Sequence, residues 1–345
     1  MAQRLAGPAA PDVVSAVSAM GAMQGQDLPG VLASAALRST GSVDDVFAAL
    51  NGARLVRGYP MRGTVFLMAA DDVVWATELC AAPSLRAAAS RRSGLGLDDA
   101  QIERAGDVAR QVLADGPRSR AELFAEWENV GLATAGGRGY HVLFTLIASR
   151  LLVHGPWNGS DQDLALVEQW LPGSPTLEQR FNADRTAAVA ELLLRYLTSH
   201  GPATVRDFAW WTKLGLGEIR RALPLVVDRL ETDGASYWRP GLGDEVAAAG
   251  RDVASAMLLP GFDEYILGYA DRLFAMHEGH HAGLVPGNNG VFKKSVVVDG
   301  RVVGTWTRAG STGRRSLEIT AFEPIPARAL TALERRFAAF PFLAP

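Results

Sequence analysis

The chain has 345 residues, 48% of them hydrophobic and 21% charged, and a formal net charge of −3. That balance is ordinary for a globular protein long enough for two or three domains, and it argues against intrinsic disorder. No apolar run reaches the ~18 residues of a membrane span, no basic-then-apolar leader opens the chain, and the single cysteine, Cys80, excludes an internal disulfide and a cysteine zinc site. A reducing cytoplasm is the expected setting. Of the 34 basic residues only Lys213, Lys293 and Lys294 are lysines. An arginine bias follows first from GC-rich coding, but arginine also suits phosphate contact through its planar fork.

In chain order, residues 10–20 and 28–37 read as helices, the second with Pro29 near its start, where a missing N–H costs little. Ser42 followed by Asp44 and Asp45 opens a third helix to about residue 50. Residues 54–57 and 64–68 read as strands, and Asp71 and Asp72 open a further helix to Cys80. A repeat follows. Asp115-Gly116-Pro117-Arg118-Ser119 and Ser199-His200-Gly201-Pro202-Ala203-Thr204 each follow a long amphipathic helix and cap a short one. A second short helix (140–149; 216–223) and a strand pair (151–154 with 164–167; 228–232 with 236–238) close each copy. Three helices and a β-wing make a winged-helix unit, and the N-terminal segment supplies a third copy. Near residue 250 the pattern changes. Residues 296–298, Asp299-Gly300 and residues 301–307 signal a hairpin, since Asp-Gly suits a type I′ turn. Residues 316–320 are a further strand and 326–339 a closing helix.

The expected fold is therefore mainly α (α+β): three tandem winged-helix units and a small C-terminal β-barrel-like domain. The expected boundaries are 1–95, 96–173, 174–248 and 249–345. Tandem winged helices most simply mean DNA binding, although the same fold also serves protein interaction.

Four constellations stand out for chemistry. Met23-Gln24-Gly25-Gln26-Asp27 sets two glutamines around a glycine between two helices. It reads either as a polar turn with Asp27 capping the next helix, or as two side-chain amides converging to orient a water. A glutamine is a poor base, so such a site suits a leaving group that is already activated. Tyr59-Pro60-Met61-Arg62-Gly63-Thr64 is an edge turn, or it directs Arg62 and Thr64 towards DNA or the glutamines. Phe262-Asp263-Glu264-Tyr265 offers two carboxylates. On a strand, neighbours face opposite ways, which argues against a paired-carboxylate site but leaves one of them, Asp263 or Glu264, able to bear on the active site. The nearby His277, His280 and His281 match no common zinc spacing, and a polar loop is the better reading. Gly287-Asn288-Asn289-Gly290, followed by Lys293 and Lys294, is a tight turn whose N–H groups and lysines suit a phosphate. No Walker motif, dinucleotide fingerprint or Gly-x-Ser-x-Gly elbow is present.

Residues 23–27, 55–68, 258–272 and 284–306 together resemble the AlkZ and YcaQ family of winged-helix DNA glycosylases, in the family's order along nearly the whole chain. The resemblance implies three winged-helix units around a DNA channel with a C-terminal β-barrel. It implies a bacterial monofunctional glycosylase that hydrolyses the N-glycosidic bond of bulky N7-alkylated guanine in duplex DNA. In some members it also implies crosslink unhooking and self-resistance to a genotoxic natural product. Gln24 and Gln26 match the AlkZ-like Gln-x-Gln catalytic motif, where YcaQ-like members have Asp at the second position. The residue between them is usually aliphatic in the family and is Gly25 here.

Asp27, Arg62, Thr64, Asp263, Asn288, Asn289, Lys293 and Lys294 are then expected at the pocket or on DNA. Arg138, Arg220 and Arg221 are further candidates for phosphate contact. No metal and no cofactor are implied. A monomer acting on double-stranded DNA, away from membranes and on the nucleoid, is expected. The competing reading is a non-enzymatic winged-helix regulator or damage-binding protector, which would have no use for the glutamine pair. A protein-interaction scaffold is a third reading, and it would lack an arginine-rich channel.

Overall fold

The computed structural model describes residues 1–250, 256–310 and 315–343. Among the described residues the molecule is mainly helical, with three antiparallel sheets. Among the described residues no helix is long and apolar enough to cross a membrane.

Three times the chain runs through three helices and then a strand pair. The first set is Val13–Met20, Leu28–Ala36 and Val43–Asn51. It has a two-residue strand, β1 (Met23–Gln24), between its first two helices, and it ends in β2 (Leu55–Met61) and β3 (Thr64–Ala69). The second is Asp99–Val112, Arg120–Asn129 and Arg138–Ala148, with β4 (Leu152–Trp157) and β5 (Gln162–Leu166). The third is Arg185–His200, Val205–Thr212 and Leu216–Ala222, with β6 (Glu231–Thr232) and β7 (Tyr237–Trp238). The anticipated caps are present. Ser42 with Asp45, Ser119 with Glu122 and Thr204 with Asp207 each form a reciprocal capping box, satisfying two otherwise orphaned N–H groups.

The first two strand pairs are not separate wings. They join edge to edge through Arg57 and His154 into one five-stranded sheet ordered β1-β3-β2-β4-β5. Residues on both sides of position 95 therefore share one sheet. The turn between β2 and β3 has only two residues, Arg62 and Gly63, both at positive φ (57° and 71°), as a type I′ turn requires. This places a non-glycine residue, Arg62, in the left-handed region.

The C-terminal region contains β8 (Met257–Leu259), β9 (Ser295–Val298), β10 (Arg301–Ala309) and β11 (Ser316–Ala321). The Asp299-Gly300 turn has the expected positive φ at both residues, 49° and 78°. Among the described residues these strands form an open sheet ordered β11-β10-β9-β8, and no closed barrel is found. Each face is already covered, so closure is not needed to bury the apolar side chains. Helix Ala327–Ala338 packs Leu333 and Phe337 against Val296, Val303 and Trp306 on one face. Ile266, Met276, Leu284 and Val285 cover Val297 and Val302 on the other.

The C-terminal sheet is tied to the first unit by an ion pair with no solvent contact. Arg38 donates to Asp263 through both terminal nitrogens (2.7 and 2.9 Å), and the two side chains are 0% and 1% exposed. Ser34 Oγ donates to the same carboxylate at 2.5 Å, and Gln3 Oε1 accepts from Arg38 at 2.8 Å. Asp263 also caps the one-turn helix Glu264–Leu267 by accepting from the Tyr265 N–H. It therefore does not face a pocket as expected. A buried cation and two further donors already saturate it.

Burial alone would raise the Asp263 pKa. The Arg38 guanidinium, the Ser34 hydroxyl and the Tyr265 N–H outweigh it and hold the carboxyl below its ordinary value. A depressed carboxylate stabilises the fold above its unfolded pKa of about 3.9, and that stability is lost as pH falls through the lower folded value. Asp263→Asn leaves Arg38 buried without a counter-charge and is expected to cost about 3–5 kcal/mol, read as a lower urea midpoint. It should also remove part of the wild type's loss of stability in acid.

Candidate functional site

The glutamine segment lies against β3. Met23 pairs with Leu67 and Gln24 with Phe66, and the Gly25 N–H then donates to Val65 O at 2.8 Å. A Cβ on Gly25 would stand only 3.2 Å from Leu67 N and 3.3 Å from Phe66 C. Glycine thus lets the segment lie directly on β3, where an aliphatic residue would push the two backbones apart by a few tenths of an ångström. On its other side, Gly25 O accepts from Arg57 Nε and Nη2 (3.2 and 2.8 Å), and Arg57 Nη1 is anchored on Gln162 Oε1 at 2.7 Å. Arg57 is buried, which lowers its pKa, but a guanidinium stays protonated. The second strand pair therefore reaches across the shared sheet to hold the glutamine loop.

From behind, the Gln24 N–H donates to Glu264 Oε1 at 2.7 Å. The other oxygen of Glu264 accepts from Trp211 Nε1 at 3.2 Å and faces His200 Nε2 at 3.4 Å. Asp263 and Glu264 thus face different partners, but as the first residues of a helical turn rather than as strand neighbours. Glu264 is the one that bears on the glutamines, through the Gln24 backbone.

The side chains form a directed chain. Arg62 Nη2 lies 2.8 Å from one terminal atom of Gln24, whose other terminal atom lies 2.8 Å from Gln26. Arginine only donates, so the Gln24 atom facing it is Oε1. Gln24 Nε2 must then donate to Gln26 Oε1. Thr64 Oγ1, at 3.5 Å, faces the remaining side of Gln24 Oε1. The two carbonyls therefore do not converge on one free point. Gln24, 4% exposed, spends its carbonyl on Arg62. Gln26 is exposed and keeps one lone pair and its amide N–H groups for a ligand.

Arg62 also donates to Leu267 O (3.2 Å) and lies over the rings of Phe66 and Trp210. Trp210 is flanked by Arg272 (5.1 Å) and Lys213 (5.6 Å) as well, and Arg272 reaches Phe292 (5.2 Å). The result is a ladder of cations and aromatic rings beside the glutamines. Burial lowers the pKa of Arg62, Arg272 and Lys213.

The remaining candidates are more dispersed. Asn288 and Asn289 are exposed in a turn with Gly287, Asn288 and Gly290 at positive φ. Lys293 is exposed, whereas Lys294 folds over Trp306 at 5.0 Å and faces Asp27 through space. Arg220 and Arg221 are exposed on the third helix of the third unit, and Arg138 is bound to Leu95 O. His280 donates to Val302 O or faces Glu323, and His277 stacks edge-on against it. Sequence reasoning missed Arg57, Arg38 and Trp210. The adjacent tryptophans 210 and 211 were the available signal, one side chain turning in to Glu264 and the other out to the cations.

The sequence profile of the AlkZ-like DNA glycosylases matches residues 17–341. An interstrand DNA cross-link repair glycosylase of Streptomyces sahachiroi is 25% identical over 269 residues, which is 73% of this chain and 70% of that protein. The solved structure of Streptomyces sahachiroi DNA glycosylase AlkZ superposes with a TM-score of 0.76 at 22% identity, covering 97% of this chain and 92% of that one. The structural likeness speaks for the fold.

Glu264→Ala leaves the Gln24 N–H and the Trp211 indole N–H buried without an acceptor. Each such group costs about 1–3 kcal/mol. The variant is expected to lower the urea midpoint and to speed hydrogen exchange at the Gln24 amide beyond the global change. Glu264→Gln, which keeps an acceptor, should do less of both.

Proposed function

The chain belongs to the AlkZ-like DNA glycosylase family, and from that premise we propose that it removes bulky, positively charged N7-alkylated guanines from duplex DNA, using Gln24 and Gln26. The observation that carries this reading is the Arg62–Gln24–Gln26 hydrogen-bond chain, which ends on an exposed amide at an otherwise rigid loop.

Alkylation at N7 places a positive charge on the guanine, so the base leaves as a neutral molecule and needs no enzymatic acid. What remains is to hold a water at C1′ and to favour a sugar that becomes oxocarbenium-like. Gln26 Oε1 accepts one hydrogen from Gln24 and presents its second lone pair to that water. Gln24 acts through Gln26 as a positioning residue. Arg62 fixes the Gln24 amide plane and strengthens its N–H as a donor. Donation into Gln26 Oε1 has the opposite effect on that oxygen, making it a weaker acceptor, so the gain is in orientation.

The three sets of helices and strand pairs read as winged-helix units that line the duplex. The ladder of Arg62, Trp210, Arg272 and Phe292, with exposed Arg220 and Arg221, is the surface proposed for phosphate and base contact. Such contacts make binding fall steeply with salt. Lys293, Lys294, Asn288 and Asn289 are assigned to the same duplex from the C-terminal side. The protein would act as a monomer, and a role in self-resistance to a genotoxic natural product fits a bulky adduct. The adduct is handled without being enclosed, a reading supported by the exposure of Gln26.

The test is base release from duplexes carrying a bulky N7-alkylguanine or 7-methylguanine, scored as alkali-labile abasic sites. The wild type is expected to produce them. Gln24→Ala/Gln26→Ala is expected to lose on the order of a hundredfold or more in rate while still binding duplex. Binding without release by the wild type would favour the regulator or damage-binding protector.

A further inference from the structure

Asp27 follows Gln26 directly and precedes the helix Leu28–Ala36. A carboxylate in that place ordinarily accepts from the N–H of the second and third helical residues. Here the second is Pro29, which has no N–H, and the third, Gly30, turns its N–H towards the carboxylate without closing a cap hydrogen bond. The comparison within the molecule is direct, since Asp12, Asp98 and Asp184 all cap their helices.

The space around the Asp27 carboxylate is made by two glycines from distant parts of the chain. A Cβ on Gly30 would fall 2.6 Å from Asp27 Oδ2 and 3.0 Å from Gly261 O. A Cβ on Gly261 would fall 2.9 Å from Phe292 O and 3.8 Å from Asp27 Oδ2. The charged groups that face it are Lys294, before β9, and Arg57, on β2. Among the described residues it has no ion-pair partner within 4.0 Å. Burial raises its pKa above the ordinary carboxylate value, and Lys294, the Gly30 N–H and Arg57 oppose this only in part. A half-buried carboxylate without a saturating partner, one residue from the amide that meets solvent, is unlike Asp263, which is fully engaged.

We propose that Asp27 is the base of the hydrolysis, taking a proton from the water that Gln26 orients. The inference rests on the glycosylase reading above. In the step, the water oxygen bonds to C1′ while the bond from C1′ to the base nitrogen breaks, and its electron pair neutralises the cationic base. One water proton passes to the Asp27 carboxylate. The products are an abasic sugar with a hydroxyl at C1′, a neutral alkylated base and a protonated Asp27, which then returns its proton to solvent. Before proton transfer, the same negative charge favours the positive charge growing on the sugar. Lys294 opposes the effect of burial and favours the ionised carboxylate without an ion-pair contact.

The experiment is single-turnover base release across the acid-to-neutral range, on the alkylated duplexes above, for wild type, Asp27→Asn and Gly30→Ala. Asparagine starts helices as well as aspartate does, so Asp27→Asn isolates the charge. It is expected to retain duplex binding and thermal stability, to lose on the order of a hundredfold in rate, and to lose the wild type's decline of rate in acid. Gly30→Ala keeps the charge but displaces the carboxylate, and it should also slow release. Wild-type rates and an unchanged acid limb in Asp27→Asn would overturn the assignment of Asp27 alone. No base release by the wild type would overturn the glycosylase reading, and Asp27's role with it.

Discussion

Two neighbouring carboxylates that face different partners hold the molecule in register. Asp263 binds Arg38, and Glu264 receives the backbone N–H of Gln24. Both are buried, and both belong to the start of a single helical turn in the C-terminal region. Strand β1 has only two residues and pairs along one edge, so its own ladder is too short to fix a side chain to within a fraction of an ångström. The Glu264 carboxylate supplies the missing restraint from a position 240 residues away. Its own position is fixed because the preceding residue is locked to Arg38. A buried ion pair brings little net stability over a well-packed apolar pair. Its consequence here is placement.

The front of the site follows from the same economy of partners. Arg62 sits in a two-residue turn at positive φ, an unfavourable conformation for a side-chain-bearing residue, and from there reaches Gln24, Leu267 and Trp210 together. Arg57 secures the other face of the loop through Gly25 O. With Gln24 held by backbone and side chain alike, the freedom that remains belongs to Gln26, the residue open to substrate. Rigidity concentrated behind one exposed amide is the arrangement expected where catalysis depends on orienting a water.

Much of the fold was legible because it is local. Capping boxes at Ser42, Ser119 and Thr204, the Asp-Gly hairpin and the helix at residues 327–338 follow from neighbouring residues. The fusion of the first two strand pairs was not legible, since nothing near Arg57 or His154 encodes their pairing across about a hundred residues. Barrel closure, not found among the described residues, was illegible for a related reason: covering of both sheet faces depends on where the intervening segments return. In the site, spacing left Gln24, Gln26, Arg62 and Thr64 open between plain turns and a pocket, and the family resemblance favoured the pocket; the structure brings them together. The division of labour between Asp263 and Glu264 depends on their lying at a helix start, and the strand rule could not say which of the two reaches the glutamines. Gly25 looks like a point of freedom in sequence and is a point of close packing in space.

The central claim is that a rigidly held Gln24 directs Gln26 to the reacting centre of a damaged nucleotide. The most direct measurement is the affinity for duplexes carrying either a cationic nitrogen-containing sugar, which mimics the oxocarbenium-like state, or a neutral abasic analogue. The account expects the wild type to bind the cationic analogue more tightly than the neutral one, and Gln26→Ala to lose most of that difference while binding the neutral duplex as before. Equal affinity of the wild type for both duplexes, or a difference that survives in Gln26→Ala, would contradict it.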